Sequence, residues 1–249
     1  MGSITFNNIS TNSMGVVVQA PPVYEFPARN MSSASINGRN GDILIDKNSY
    51  KNVVREYSLA AALDTTEGAF VDKVREIVDW LSTVNGYARL TDTYEPEYFR
   101  LAAFRSGGAM PNFYDQATAI KIKFECKPQR FLISGEDPIV DNNYQEGRWI
   151  NVPNPTKYIA LPEITINGED VNLKFSESNN GDIISEISID GTLVNAIIDS
   201  ELQDCYDETQ YLNNNTETIN GFPKLYPGDN WIFINEGISL SIKPRWWVL

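Results

Sequence analysis

The sequence predicts a mainly β protein with two domains, on the basis of three observations. Short apolar runs recur at close spacing, separated by Asn-Gly and Asp-Gly pairs that favour tight turns because both residues accept a positive φ. One segment stands out as helical by its periodicity. The charge is unequal, since residues 1–134 contain 14 basic and 14 acidic residues, whereas residues 135–249 contain 6 and 19. We therefore expect one domain over 1–134 and a second, acidic domain over 135–249.

The first domain is predicted to be an N-terminal β-sandwich with one packed α-helix. Its clearest strand is the alternation over residues 119–126, in which Ile120, Ile122, Phe124 and Cys126 share one face. The helix is predicted between Gly68 and Val84. Thr65 or Thr66 is its expected cap and Trp80 its expected edge, and its apolar face is formed by Phe70, Val74, Ile77, Val78 and Leu81.

The segment from Gln19 to Met31 does not read as a central strand. Pro21, Pro22 and Pro27 lack the amide hydrogen that a sheet ladder needs, and Tyr24 and Phe26 lie between them. We expect an extended arm or loop here.

The second domain is predicted to be a galectin-like or jelly-roll β-sandwich that follows a linker over residues 134–144. Six short strands are expected, over residues 164–166, 171–175, 183–189, 193–198, 231–234 and 238–242. Turn signals separate them, at Asn167-Gly168, Asn180-Gly181, Asp190-Gly191 and Glu236-Gly237.

The composition argues against an enzyme. There is no histidine, which excludes Ser-His and Cys-His nucleophile pairs and any zinc site with a histidine ligand. Cys126 and Cys205 are expected to be buried thiols. No phosphate-binding loop, Cys-x-x-Cys pair or EF-hand series is present, so no catalytic residue, metal or cofactor is predicted. A glycosidase-type carboxylate pair stays open by composition, but no pair stands out.

The net charge of −13 argues against nucleic-acid binding through phosphate neutralisation. The sequence shows no basic leader and no long apolar stretch, so we expect no signal peptide and no membrane span, and a chain made in the cytosol.

Exposed aromatic side chains of the second domain are candidates for sugar stacking, with core or edge packing as the alternative. The candidates are Trp149, Tyr158, Tyr206, Tyr211 and Trp231. Calcium binding by Asp204, Asp207 and Glu208 is a further possibility, although their spacing fits no known loop.

The sequence also resembles a known family, the distal tail proteins (Dit) of long-tailed, non-contractile phages that infect Gram-positive bacteria. In the first half the matching pieces are residues 38–42, 50–59, 79–81, 87–90, 94–100 (Tyr-Glu-Pro-Glu-Tyr-Phe-Arg) and 124–128. In the second half they are residues 154–156, 187–191, 198–200, 222–230 (Phe-Pro-Lys-Leu-Tyr-Pro-Gly-Asp-Asn) and 244–247 (Pro-Arg-Trp-Trp).

The resemblance implies a structural baseplate hub at the distal end of the virion tail. It implies a homo-hexameric ring made by the first domains, with the second domains projecting outward. Such a ring joins the tail-tube protein to the tail-associated lysin or tip protein, supports receptor-binding proteins, and lets DNA pass through its channel without specific binding. The alternative is a carbohydrate-binding adhesion module of the baseplate.

Two hypotheses about particular residues follow from this resemblance. Tyr24 and Phe26 are expected to form an arm that contacts the neighbouring subunit. Trp246 and Trp247 point to opposite faces of a strand, so we expect that strand to lie at the domain junction, covered on both sides.

Overall fold

The structure, a computed structural model, describes residues 2–61, 69–105, 118–144 and 146–249. It confirms the predicted mainly β fold. The chain divides into two compact units. We call Met1–Arg130 with Leu249 the N-unit and Phe131–Val248 the C-unit.

The described residues of the N-unit form nine strands and one helix. In chain order these are β1 (Ile4–Phe6), β2 (Ile9–Ser10), β3 (Val16–Val18), β4 (Arg29–Ala34), β5 (Ile43–Tyr50), β6 (Val53–Ala61), α1 (Ala69–Ser82), β7 (Ala88–Asp92), β8 (Tyr98–Phe104) and β9 (Thr118–Cys126). Seven strands make an antiparallel sheet in the order β2-β1-β7-β8-β9-β6-β3, and β4 and β5 form a separate hairpin. The sheet curls, because Gly2 and Val18 exchange backbone hydrogen bonds of 3.2 and 2.8 Å between its two ends.

The core of the N-unit lies inside this curl. The alternation predicted along β9 is confirmed, since Ile120, Ile122, Phe124 and Cys126 are all buried. The Phe124 ring packs against Phe6 of β1 with centroids 4.8 Å apart.

Helix α1 is confirmed and covers the core with Ile77, Trp80 and Leu81. Two details of the predicted face are wrong. Val78 is 51% exposed, and Trp80, predicted at the edge, is 4% exposed. Its indole Nε1 donates to the Phe6 carbonyl oxygen at 3.1 Å, which satisfies its polar atom inside the core. The predicted caps Thr65 and Thr66 and the side chain of Phe70 lie outside the described part of the chain.

Over the residues that the structure describes, the regular secondary structure of the C-unit consists of strands and two short 3₁₀ turns. After β10 (Arg130–Leu132), which crosses the unit boundary, its strands are β11 (Ile139–Asp141), β12 (Arg148–Asn151), β13 (Glu163–Ser176), β14 (Ile183–Asp199), β15 (Asp204–Tyr206), β16 (Thr216–Ile219), β17 (Trp231–Ile234), β18 (Ser239–Lys243) and β19 (Trp247–Val248). The predicted linker over 134–144 contains β11, which pairs with β18.

One long antiparallel hairpin, β13–β14, organises the C-unit. The first half of β13 pairs with β18 and its second half with β17. Likewise β14 pairs with β16 near its start and with β15 at its end. Both halves contribute to one apolar core, so the hairpin supplies strands to two sheets of a sandwich.

The predicted turns at Asn167-Gly168 and Asp190-Gly191 are wrong. Both pairs lie within β13 and β14, where the register shifts between Ile166 and Gly168 and again before Val171. Bulges bend a strand without ending it, so the turn residues mark the place where the hairpin passes between sheets.

Side chains hold this bend. The Asp170 carboxylate accepts from the Gly191 amide at 2.8 Å, and the Asn167 amide oxygen accepts from the Asn195 amide at 2.8 Å. Gly168 has φ +148°, and a Cβ there would lie 2.4 Å from Ile238 Cδ1. Only a glycine fits this bend.

Two of the pieces that carry the family resemblance lie side by side in the C-unit. Asn154 and Gly228 form a backbone bridge, and so do Ala160 and Leu225. The buried Asn154 amide donates to the Tyr158 and Leu225 carbonyls, at 2.9 and 3.0 Å. The hydrogen bonds of the buried Asn154 amide therefore attach the segment around it, which forms no strand, to the sandwich.

Each unit contains one buried free cysteine, as predicted. Burial raises the pKa of the Cys126 thiol to about 11 and also raises that of Cys205.

We predict that Gly168→Ala destabilises the protein through its φ and through the contact of its Cβ with the Gly237 carbonyl oxygen, 2.9 Å away, beside the Ile238 side chain. Gly221→Ala is the matched control, because Gly221 has φ +81° but no atom within 4 Å of an added Cβ. In urea unfolding we expect a loss of about 1 kcal/mol for G221A, and about 1–3 kcal/mol more for G168A. Equal losses would contradict the steric argument.

Candidate functional site

An exposed apolar region distinguishes the N-unit. Among its described residues, seven of the twelve exposed large apolar side chains lie between residues 23 and 45, and they are Val23, Tyr24, Phe26, Met31, Ile36, Leu44 and Ile45. We call residues 19–50 the arm region: an extended segment, 19–28, followed by the β4–β5 hairpin.

The extended segment is tethered to its own unit along β6. The Gln19 amide donates to the Ser58 carbonyl at 2.9 Å, and the Val54 amide donates to the Glu25 carboxylate at 3.0 Å. Of the two predicted arm residues, Tyr24 is half-exposed and covers the Arg55 guanidinium at 4.6 Å, whereas Phe26 is 92% exposed. Phe26 is therefore the side chain with the most surface available to a partner.

Beneath Tyr24 lies a buried charge. Arg55 is 2% exposed, and its Nη2 contacts Glu95 at 2.8 Å and Asp92 at 3.3 Å. Asp92 also accepts the Tyr57 hydroxyl hydrogen at 2.6 Å. Burial disfavours the guanidinium, but the neighbouring Tyr57, Asp92 and Glu95 raise the pKa of Arg55 above its ordinary value. Burial and Asp92 raise the pKa of Tyr57, which keeps its hydroxyl as a donor.

The same network reaches the loop after β7. Glu95 also pairs with Arg100 at 3.4 Å and with Arg130 at 2.8 Å. Asp92 Oδ1 accepts the amides of Tyr94 and Glu95, at 2.9 and 2.8 Å. Tyr94, Glu95 and Arg100 belong to the 94–100 piece of the family resemblance, and the sequence alone indicated no role for them.

Three of the predicted sugar-stacking side chains are partly buried, and two of them pack on another ring. Trp149 faces Phe233 across β12 and β17 with centroids 5.5 Å apart, and Tyr158 stacks on Trp247 at 4.5 Å. Trp231 is partly buried on β17.

Tyr206 and Tyr211 are brought together. A backbone bridge joins them, and their rings meet edge to face with centroids 6.4 Å apart. They line a cavity of about 360 Å³ together with Asp204, Asp207 and Glu208, the three acidic residues considered for calcium. A larger cavity of about 630 Å³ lies at the hairpin bend. The sequence did not predict it, because its wall forms where Gly168 and Glu169 of β13 pair with Leu193 and Thr192 of β14.

Residues 245–247, near the carboxy terminus, make contacts within the C-unit. Trp246 lies in the core of the C-unit, and its backbone carbonyl accepts the Leu132 amide hydrogen at 2.8 Å. The Trp247 indole Nε1 donates to the Ile159 carbonyl oxygen at 2.9 Å. Arg245 binds both carboxylate oxygens of the buried Asp199 at 3.0 Å. Burial acts to raise the pKa of Asp199, but Arg245 and two backbone amides outweigh it and the pKa is lowered. The assignment of Trp246 and Trp247 to a domain junction stays a prediction.

Two further observations concern metal binding and membrane insertion. Across residues 2–61, 69–105, 118–144 and 146–249, no three metal-ligating side chains of the His, Cys, Asp or Glu type cluster together. Within the same ranges, no helix has the length and apolarity that a membrane crossing requires.

We predict that Arg55→Met lowers the free energy of unfolding by about 3–5 kcal/mol, because Asp92 and Glu95 would be left buried without their cation. Arg75→Met is the control, since Arg75 pairs with Asp72 on the exposed face of α1. We expect that change to stay within about 0.5 kcal/mol. Urea unfolding followed by circular dichroism measures both, and a similar small effect for R55M would refute the role of the network.

A second prediction concerns pH. Because the folded pKa of Asp199 lies below its ordinary 3.8, its carboxylate stabilises the fold above about pH 4, and this stabilisation disappears as the pH falls through the folded pKa. Asp199→Asn should therefore lower the melting temperature near pH 7. The difference from wild type should shrink as the pH falls below the ordinary pKa of 3.8 and through the lower folded pKa.

The control for this experiment is Glu217→Gln, an exposed carboxylate on β16. It should change the melting temperature little at any pH. If Asp199→Asn melted at the same temperature as wild type near neutral pH, the ion-pair argument would be contradicted.

No family model and no curated protein matches the sequence. Solved structures do match. The chain superposes on SPP1 Dit (gp 19.1), described as a paradigm of the hub adsorption apparatus in phages infecting Gram-positive bacteria, with a TM-score of 0.71 and 11% identity over 100% of both chains. Chains of the activated phage p2 baseplate match at TM-scores of 0.54 with Sr and 0.53 with Ca, at 11% and 10% identity. They cover 97% of this chain, and 96% and 97% of their own. The fold of this chain, over its whole length, is that of the phage distal tail protein Dit.

Proposed function

We propose that the chain is the structural hub of a phage baseplate, located at the distal end of a long, non-contractile virion tail. In this proposal six copies form a ring through their N-units. The ring links the tail-tube protein to the tail-tip or lysin protein and carries receptor-binding proteins. DNA passes through its channel.

A fold does not by itself determine a function, so the proposal also needs a feature of this chain. The observation that carries it is the arm region. Leu44 and Ile45 are neighbours on β5 and therefore point to opposite faces, yet they are 65% and 51% exposed. The hairpin is thus open to a partner on both faces.

An isolated two-stranded hairpin is marginally stable in water, and apolar patches of this kind on a soluble protein mark interaction sites. With Phe26 at 92% exposure just before it, the arm region has the character of a surface that a second copy of the chain covers. A second copy of the chain is the simplest occupant of the arm region, because the N-unit has no net charge that would repel its own copies.

The charge distribution supports the remaining parts of the proposal. A neutral N-unit would not hold back DNA in a channel by phosphate neutralisation. In the C-unit four of the six basic side chains, Arg148, Lys174, Lys243 and Arg245, are already paired with carboxylates. With 6 basic and 19 acidic residues, the unit has too few cations to neutralise its carboxylates, which suits a domain that projects into water.

The test compares particle mass for three forms of the full chain. Wild type should form particles of six times the 28.0 kDa chain mass, visible as rings by negative-stain microscopy. Phe26→Ser with Leu44→Ser should reduce them to single chains.

The matched control is Val71→Ser with Val78→Ser, which removes two exposed apolar side chains of α1 from the same unit. It should leave the ring intact. A wild-type chain that stays monomeric at all concentrations, or rings that survive the arm substitutions, would refute the proposal.

A further inference from the structure

The cavity at Tyr206 and Tyr211 has features of a binding site that the hub proposal does not use. Its volume of about 360 Å³ lies within the range of small-molecule sites. Tyr211 is 73% exposed, an unusual position for a ring that contacts another aromatic side chain. We propose that this cavity binds a neutral saccharide.

The two rings are held in place by the backbone. Tyr206 is the last residue of β15, and its bridge to Tyr211 fixes the distance between them. The four residues between them form a tight loop, in which the Asp207 amide donates to the Gln210 carbonyl at 3.0 Å. The Asp207 carboxylate accepts the amides of Thr209 and Gln210, at 2.7 and 2.9 Å. A prearranged pair of rings loses little entropy on binding.

The chemistry of the lining suits a sugar. An exposed aromatic ring offers an apolar face on which the carbon–hydrogen face of a pyranose packs. The carboxylates of Asp204 and Glu208 and the Gln210 amide lie around the rings and accept or donate hydrogen bonds at the hydroxyl groups. Tyr206 keeps its hydroxyl proton, because burial and then Asp199 and Glu163 raise its pKa, so it remains able to donate as well as accept.

Charge narrows the class of saccharide. The cavity contains three acidic residues and no basic one, in a unit with 19 acidic and 6 basic residues. A phosphate- or sulfate-bearing polymer would be repelled. A neutral sugar meets no such penalty.

Three other candidate positions of the C-unit, the cavity at the bend, Trp149 and Tyr158, lack this combination. The larger cavity at the bend is lined by Gly168, Glu169, Asp170, Thr192, Leu193, Glu236 and Gly237, without an aromatic ring. Trp149 and Tyr158 already pack on Phe233 and Trp247. The Tyr206–Tyr211 cavity is therefore the site at which a sugar ring finds both a face to stack on and groups to bind its hydroxyls.

The test uses the full chain and three neutral trisaccharides, of glucose, galactose and N-acetylglucosamine, each at about 5 mM. Saturation-transfer NMR detects contact with the protein, and a titration gives the affinity. We expect at least one trisaccharide to bind, and Tyr211→Ala to weaken that binding about tenfold, because it removes the stacking face.

Three comparisons decide the outcome. Tyr211→Phe should retain binding, since the ring remains. Tyr144→Ala removes another exposed tyrosine of the C-unit and should change nothing. Poly(glycerol phosphate) should not bind. The proposal is overturned if no trisaccharide binds, if Y211A binds like wild type, if Y144A weakens binding equally, or if the anionic polymer binds better. Binding is measured per chain, so the result does not depend on ring formation.

Discussion

The N-unit depends on one buried guanidinium. Arg55 is taken out of water in the middle of β6, which is costly unless anions are held close to it. Asp92 and Glu95 supply them from the end of β7, and the Tyr24 ring covers the charge from the extended segment. A single charge thereby fixes the relative positions of β6, the loop after β7 and the start of the arm region. The arm region begins from a rigid base, although its hairpin is exposed.

The C-unit depends instead on the bend in its β13–β14 hairpin. Because β13 and β14 continue through their bulges, one hairpin provides strands to both sheets and the sandwich needs no separate connection between them. Carboxylate and amide side chains at Asp170 and Asn167 take over the hydrogen bonds that the ladder loses there. The Tyr206–Tyr211 cavity lies outside this bend, in the loop that follows β15.

Sequence reasoning succeeded where local pattern decides the structure. The alternation in β9 and the position of α1 follow from periods of two and 3.6 residues, which one strand or helix expresses alone. The prediction failed where the pairing of distant segments decides the structure. Asn167-Gly168 and Asp190-Gly191 have turn chemistry, but both lie inside the β13–β14 ladder, where the register shifts and they form bulges. The partners of Arg55 lie 37 and 40 positions away, and Tyr206 and Tyr211 were two of five similar aromatic candidates until the bridge joined them.

The buried cysteines have a chemical consequence. With a pKa of about 11, Cys126 is a thiolate in only about one molecule in ten thousand near pH 7, and the thiolate is the form that oxidants attack. Cys205 is shielded in the same way. The cysteine thiol of each unit is therefore unreactive. Because both thiols are buried, neither cysteine is placed to form a disulfide with a neighbouring copy of the chain.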